Sequence, residues 1–345
     1  MRTLRHHLLG RSGLRVSELC LGTMTFGTEW GTGADAAESR RIFDAYAGAG
    51  GNFVDTANRY TEGTSERLVG ECIAADRDHF VVATKYTLFD RKGDLNFAGN
   101  HRKNLVRSLE GSLRRLGTSH VDLLWIHAWD GVTPLEDVVR ALDDQVRLGK
   151  VLHVGISDAP AWVASRMHTM AEWAGWTPFT ALQVEYSLVT REVEHELLPM
   201  ARHLGLPVTP WSPLGRGLLT GKYTDAARAA EPKRMNPQTS LQVNERTLAI
   251  ARAVDAVSAR LGKPPAQVAL NWVRRQGADL FPIVGARSLA QFRENLAALE
   301  WELPDDAAAA LDEASAVPLR FPQNFLASKN VQDLMFGGAQ DGLVR

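Results

Sequence analysis

Short apolar runs of strand length alternate along the chain with longer runs whose apolar residues recur at helical spacing. The strand-like runs are Leu19–Phe26, Phe53–Ala57, Phe80–Lys85, Val121–His127, Val151–Ser157, Ala181–Tyr186, Pro207–Ser212 and Phe281–Gly285. Between and after them the pattern predicts helices over Ala36–Ala49, Ser65–Ala74, Arg102–Leu116, Leu135–Leu148, Ala161–Trp173, Glu192–His203, Glu245–Leu261, Pro265–Arg275, Leu289–Leu299 and Asp305–Ala314. Gly117 and Gly149 close helical runs, while Ser288 and Thr133-Pro134 open them. Eight strand–helix alternations predict an α/β fold, a (β/α)8 TIM barrel. Ahead of it, two apolar patches about Gly10 to Gly13 predict an N-terminal β-hairpin. The segment Lys222 to Asn244, rich in Pro, Ala and charge, interrupts the alternation and reads as a long loop over the barrel mouth. The tail after Val317 carries Phe321, Phe325, Leu334 and Met335, and is expected to pack beside the active-site face as a C-terminal substrate loop.

Composition narrows the class. Barrels of this kind use roughly 200 to 400 residues as one domain, so a chain of 345 residues is read as a single domain over 1–345. A chain this long buries enough surface to fold without disulfide or metal. Cys20 and Cys72 are read as packing residues of a reducing compartment. A formal net charge of −1 and the lack of a long basic run exclude nucleic acid as the main partner. The opening Met-Arg-Thr-Leu-Arg-His-His has no continuous apolar stretch, and no run reaches the roughly 20 apolar residues of a membrane span. These features predict a soluble, cytoplasmic protein with a small-molecule substrate; its oligomeric state is not legible.

The candidate chemistry lies at the strand ends. The stretch Asn52-Phe-Val-Asp-Thr-Ala-Asn-Arg-Tyr60 runs from a buried strand into a polar loop, placing Asp55 at the strand end and Tyr60 five residues on. A carboxylate buried beside Phe53 and Val54 costs several kcal/mol unless a partner meets it. The next two strands end in Lys85 and His127, and active-site groups of a barrel come from such C-terminal ends. The four side chains can therefore converge. A lysine near a phenol favours the phenolate and lowers the tyrosine pKa, while Asp55 keeps the lysine charged. Tyr60 can then act as a general acid, with His127 orienting a carbonyl for hydride delivery.

At these residues the chain resembles the aldo-keto reductase superfamily. The resemblance extends from Leu8-Leu-Gly-Arg-Ser-Gly-Leu-Arg-Val-Ser through Leu21-Gly-Thr-Met-Thr-Phe-Gly27 to Ile283-Val-Gly-Ala-Arg-Ser288 and Glu294-Asn295. It implies that Asp55, Tyr60, Lys85 and His127 form the catalytic tetrad of an enzyme reducing an aldehyde or ketone, with Tyr60 the proton donor. It further implies that Ser157, Asp158 and Gln183 meet a nicotinamide carboxamide, that Trp211 stacks on the ring, and that Ser212, Leu214, Gly215 and Gly217 line the pyrophosphate. Gly285, Ala286, Arg287, Gln291, Glu294 and Asn295 fall where the adenosine end lies. Glycines admit a diphosphate to backbone N–H groups, and Arg287 at a helix start can meet a 2′-phosphate, so NADPH is the expected cofactor. No metal is expected.

Two positions depart from the family pattern. Asp158 stands where many relatives carry Asn, and Gln291 where one branch carries Arg, which places more of the 2′-phosphate selectivity on Arg287. The Trp-Ser-Pro-Leu and Gln-x-x-Glu-Asn patterns look closer to bacterial and potassium-channel β-subunit branches than to aldose reductase. The substrate pocket is expected from Phe26, Trp30, Tyr60, Phe89, Trp129, the loop after Lys222 and the tail near Phe321 to Phe325. Gly31-Thr-Gly-Ala-Asp-Ala36 loosely matches a dinucleotide-binding fingerprint, but it lies too far from the preceding strand for a tight first turn. Two other functions stay open: a cofactor-binding regulatory subunit, and a class I aldolase with Lys85 as Schiff-base residue.

Overall fold

The computed structural model describes residues 3–225, 235 and 242–343. A two-stranded antiparallel hairpin comes first, β1 (His6–Leu8) and β2 (Arg15–Ser17), joined by a tight turn. Eight parallel strands follow: β3 (Cys20–Gly22), β4 (Phe53–Asp55), β5 (Val81–Tyr86), β6 (Val121–Ile126), β7 (Val151–Ser157), β8 (Phe179–Glu185), β9 (Val208–Trp211) and β10 (Ile283–Val284). They pair in the order β10-β3-β4-β5-β6-β7-β8-β9, and Val208 of β9 exchanges backbone bonds with Asp279 and Phe281 just before β10. The sheet therefore closes into the expected (β/α)8 barrel.

The helices between and beyond the strands are α1 (Ala36–Gly48), α2 (Thr64–Ile73), α3 (Arg102–Leu116), α4 (Leu135–Arg147), α5 (Ala161–Ala174), α6 (Leu197–Leu204), α7 (Glu245–Leu261), α8 (Pro265–Arg275), α9 (Leu289–Leu296), α10 (Asp305–Ser315), α11 (Gln323–Leu326) and α12 (Lys329–Phe336). Their starts are chemically marked. Asp35 accepts from the Glu38 N–H, Ser288 from that of Gln291, and Asn244 and Thr247 form a reciprocal capping pair. Gly117, Gly175, Gly205 and Gly262 end helices in the left-handed conformation.

The core has two layers. Inside the barrel Phe53, Val81, Ala83, Leu123, Trp125, Ala181, Phe281 and Ile283 pack together, and Leu9 and Val16 of the hairpin join them. The outward strand residues meet the helices in a larger shell that includes Val54, Val82, Leu124 and Ile156. Gly155 is fixed by this interior packing: β7 pairs it with Trp125, and a Cβ there would lie 2.4 Å from the indole. Only glycine leaves room for the ring.

Several boundaries differ from expectation. The first barrel strand stops at Gly22 because Thr23–Phe26 turns out of the sheet, Phe26 N–H bonding back to the Thr23 carbonyl. The helix predicted over Glu192–His203 splits into a short turn and α6, whose Pro199 is tolerated only in a first turn. Most of the predicted loop over Lys222 to Asn244 lies outside the described residues. The tail is helical, and none of its described residues lines the cavity at the C-terminal ends of the strands. Phe321 is 79% and Leu334 75% exposed, and Gln323 bonds the His195 carbonyl and Glu196, in the connection from the end of β8 to the start of α6, on the side where the strands end. Among the described residues no helix is long and apolar enough to cross a membrane.

Candidate active site

At the C-terminal ends of the strands a cavity of about 490 Å³ opens, within the size range of small-ligand sites. Asp55 ends β4, Lys85 lies on β5, and His127 follows the last residue of β6. The Lys85 ammonium donates to Asp55 Oδ2 at 2.5 Å, to the Thr56 carbonyl at 2.9 Å and to Tyr60 Oη at 3.0 Å. Asp55 Oδ1 accepts from Gln183 Nε2 at 3.0 Å across the barrel. The Tyr60 ring stands edge-on to His127, centroids 6.0 Å apart. Asp55, Tyr60 and His127 line the cavity, with Lys85 buried behind them.

The turn carrying Tyr60 is conformationally costly. Thr61, Glu62 and Gly63 are all left-handed, with φ of 45°, 54° and 87°. Two non-glycine residues in this region cost about 1–3 kcal/mol each and persist where the surroundings impose them. Here Thr61 Oγ1 donates to the Phe26 carbonyl and accepts from the Ser65 N–H, which pins the turn.

Electrostatics assign the protonation states. Burial alone would push Lys85 down, but Asp55 and the Tyr60 phenol outweigh it and hold the amine above its ordinary range. With its three N–H groups committed, Lys85 is a charged donor, which opposes its use as a Schiff-base nucleophile. For Tyr60 the expected lowering is overturned. Burial raises the phenol above its ordinary value, and the pull of Lys85 in the other direction does not cancel it. His127 is held well below its usual value, first by burial and then by Lys85, so its imidazole is neutral. Its Nδ1 is buried without a protein partner.

Beyond the tetrad, Ser157, Asp158, Gln183, Trp211, Ser212, Leu214 and Gly217 line the same cavity. So do Gly285, Ala286, Arg287, Gln291, Glu294 and Asn295, which follow β10 and lie on α9. Asp158, left-handed at φ 39°, accepts from Trp211 Nε1 at 3.1 Å; burial raises its carboxyl pKa. Ser157 Oγ is buried with no protein partner, as a hydroxyl awaiting a ligand would be. Arg216, Lys222 and Arg287 add cations to the same lining. An elongated, polyanionic cofactor with an amide head fits this donor set.

Four predicted residues fall elsewhere. Phe26 is fully buried in the core, Phe89 lies under the Arg59 guanidinium at 4.5 Å, and Trp129 packs edge-on against Trp162 at 5.5 Å. Gly215, at φ 56°, borders a smaller neighbouring cavity instead. Of the expected aromatic wall, Trp30 and Tyr60 remain. Sequence reasoning assigned no role to Met24, Arg59, Leu88 or Arg216, which also face the cavity. Arg59, a lone cation immediately before the tyrosine, was the one with a usable signal.

A closed barrel whose strand ends bring Asp55, Tyr60, Lys85 and His127 together beside a cavity of ligand size is the arrangement of a class of carbonyl and alcohol oxidoreductases. The sequence profile of the Aldo/keto reductase family matches residues 18–316, and the chain belongs to that family. Its members typically use NAD(P)H and catalyse carbonyl and alcohol oxidoreduction. A norsolorinic acid reductase of Aspergillus flavus is 37% identical over 93% of this chain and 84% of its own length. An aryl-alcohol dehydrogenase [NADP(+)] of Phanerodontia chrysosporium is 34% identical over 98% of this chain and 90% of its own. The aldo-keto reductase ausK of Aspergillus calidoustus is 34% identical over 91% and 83%. The expected kinship with bacterial and channel-subunit branches finds no support in these relatives, which are fungal enzymes.

Proposed function

We propose that the chain is an NADPH-dependent reductase of aromatic aldehydes or ketones, with Tyr60 as proton donor. The observation that carries this reading is the hydrogen-bonded series Asp55–Lys85–Tyr60 beside a neutral His127 at one cavity wall. The relatives' names support the substrate class, as does the aromatic surface of Trp30, Tyr60 and Trp211. Ser157 and Asp158 would hold the carboxamide and Trp211 one face of the nicotinamide. Arg287 would meet a 2′-phosphate. The bound cofactor supplies the hydride.

The chain's own residues manage the proton. The neutral His127 gives an N–H to the substrate oxygen and positions the carbonyl against Tyr60. As the carbonyl carbon is reduced, the oxygen takes the phenolic proton, and the O–H bond of Tyr60 breaks. The charged Lys85, 3.0 Å away, stabilises the tyrosinate that remains. Asp55 keeps that amine charged and in place. Tyr60 then recovers a proton from solvent; in alcohol oxidation the same atoms run in reverse. The raised phenol pKa keeps the donor protonated at neutral pH. Cys20 and Cys72, both free and buried, fit a reducing cytoplasmic location.

The test is titration of the purified protein with NADPH and with NADH by tryptophan fluorescence, followed by NADPH oxidation with 4-nitrobenzaldehyde. Tighter binding of NADPH together with turnover is the expected result. Binding without turnover of any aromatic carbonyl would overturn the reductase reading, and no binding would overturn the cofactor.

A further inference from the structure

The mouth of the cavity on the Tyr60 side holds a cation that the proton-transfer series does not use. Arg59 lines the cavity beside Trp30 and Leu88. Its guanidinium lies 4.5 Å from the centre of the Phe89 ring and 5.7 Å from that of Trp30. Glu62 ion-pairs with it, and the Glu62 carboxylate also accepts from Trp30 Nε1 at 3.2 Å. The two partners face different ways. The Arg59 side chain is 21% exposed and the Glu62 side chain 55%, and Glu62 does not border the cavity. Glu62 therefore grips the guanidinium from the solvent side. The left-handed Thr61–Gly63 turn folds Glu62 back to do so.

A guanidinium has five N–H donors in a fixed plane, and one carboxylate cannot satisfy them all. Stacked on two rings and tied at one edge, the Arg59 group is preorganised, so a ligand anion meeting its remaining edge need not order a flexible side chain. Of the other charges at this end, Lys85 is consumed by Asp55 and Tyr60, and the Asp158 carboxylate is bonded to Trp211. Among the described residues, Arg216 lines the same cavity but pairs with Glu185 over the Trp211 ring, and Arg59 is the cation adjoining Tyr60.

Building on the reductase reading, we propose that Arg59 is a specificity-determining residue that selects aromatic carbonyl compounds bearing a carboxylate, or an equivalent anionic oxygen, remote from the reacting carbonyl. The carbonyl meets Tyr60 and His127, the ring lies along Trp30, and the anion meets Arg59. Binding and turnover test it separately. Calorimetry on protein loaded with the oxidised cofactor, which has no hydride to give an aldehyde, compares 4-carboxybenzaldehyde with its neutral isostere 4-formylbenzamide. The carboxylate should bind about tenfold more tightly, since charge-assisted bonds to a planar fork are the strong ones and solvent at the mouth discounts them. Arg59→Met should bring the ratio to within about twofold of one. Arg59→Lys, which keeps charge but not the fork, should retain part of the preference, and 0.5 M salt should shrink it. A ratio near one in the native protein, or one unchanged by Arg59→Met, overturns the proposal. If the preference is present but 4-carboxybenzaldehyde is not reduced, Arg59 keeps its role and the reductase reading falls. If reduction occurs without preference, the reverse holds.

Discussion

Replacing Tyr60 by Phe removes one oxygen and leaves the ring. In the native protein that oxygen accepts from Lys85 Nζ at 3.0 Å, while the amine also holds Asp55 at 2.5 Å and the Thr56 carbonyl at 2.9 Å. Two of the three bonds survive in Tyr60→Phe, and the cavity beside the ring lets water take the third place. The stability loss should therefore be about 1.5 kcal/mol, at the lower end for a bond to a charged group. Catalysis should suffer far more, because among the described residues neither neighbour can replace the phenol as an acid: a neutral imidazole donates a hydrogen bond but does not give up its proton, and Lys85 is shielded behind Tyr60. Loss of a positioned general acid costs on the order of 10²–10⁴ in rate. NADPH affinity should stay within about twofold, since the phenol acts mainly in the transition state. The assay pairs NADPH oxidation by 4-nitrobenzaldehyde with fluorescence titration of the cofactor and a urea melt. A folded, NADPH-binding Tyr60→Phe protein that keeps more than about a tenth of native kcat/KM would refute the proton-donor assignment.

Other predictions concern the groups around the site. Glu66 is fully buried between α2 and α3, accepting from Arg115 Nε and Thr84 Oγ1 at 2.6 Å each. Arg115→Met strands that carboxylate and should cost about 3–5 kcal/mol in urea unfolding, while Arg115→Met with Glu66→Gln should recover much of it. His127 has a folded-state pKa depressed by burial, so its contribution to stability is present above the unfolded value near 6.5 and is lost as pH falls below it. His127→Gln should accordingly lose less Tm than the native protein between pH 7.5 and pH 5; an equal loss would place the acid sensitivity elsewhere.

The barrel was legible because its signals are local. Helices α3, α7 and α8 run from Arg102, Glu245 and Pro265 to the residues their apolar spacing and end signals marked, and β7 matches its apolar run. Asp55, Lys85 and His127 stood out as ionisable groups terminating apolar runs, and the parallel register brings those ends to one face. What escaped was directional or long-range. An aromatic near a strand end has no sign for which way it points: Trp30 reached the cavity, while Phe26 turned into the core. The bond from Gln183 to Asp55 joins residues 128 apart, and only barrel closure brings them together. The direction of the Tyr60 shift depended on weighing Lys85 against burial, which requires knowing how closed the site is.

The same weighing explains why the site is built as a series rather than a pair. An isolated Lys85–Asp55 ion pair at this depth would gain little over apolar residues of equal volume, because desolvation of both charges offsets their attraction. Its placement makes sense through what it does to Tyr60. A phenol alone in this wall would be so disfavoured as an anion that proton release would stall. A lysine alone, desolvated, would tend to lose its own proton and with it the field that supports the tyrosinate. Asp55 prevents the second failure, and the charged Lys85 limits the first. Gln183, bonded to the other oxygen of Asp55, and the Thr56 carbonyl, bonded to Lys85, satisfy polar groups that would otherwise be stranded. In the proposed reaction the Tyr60 proton is thus held firmly at rest and released when the substrate oxygen becomes basic, which is the condition reduction of a carbonyl sets.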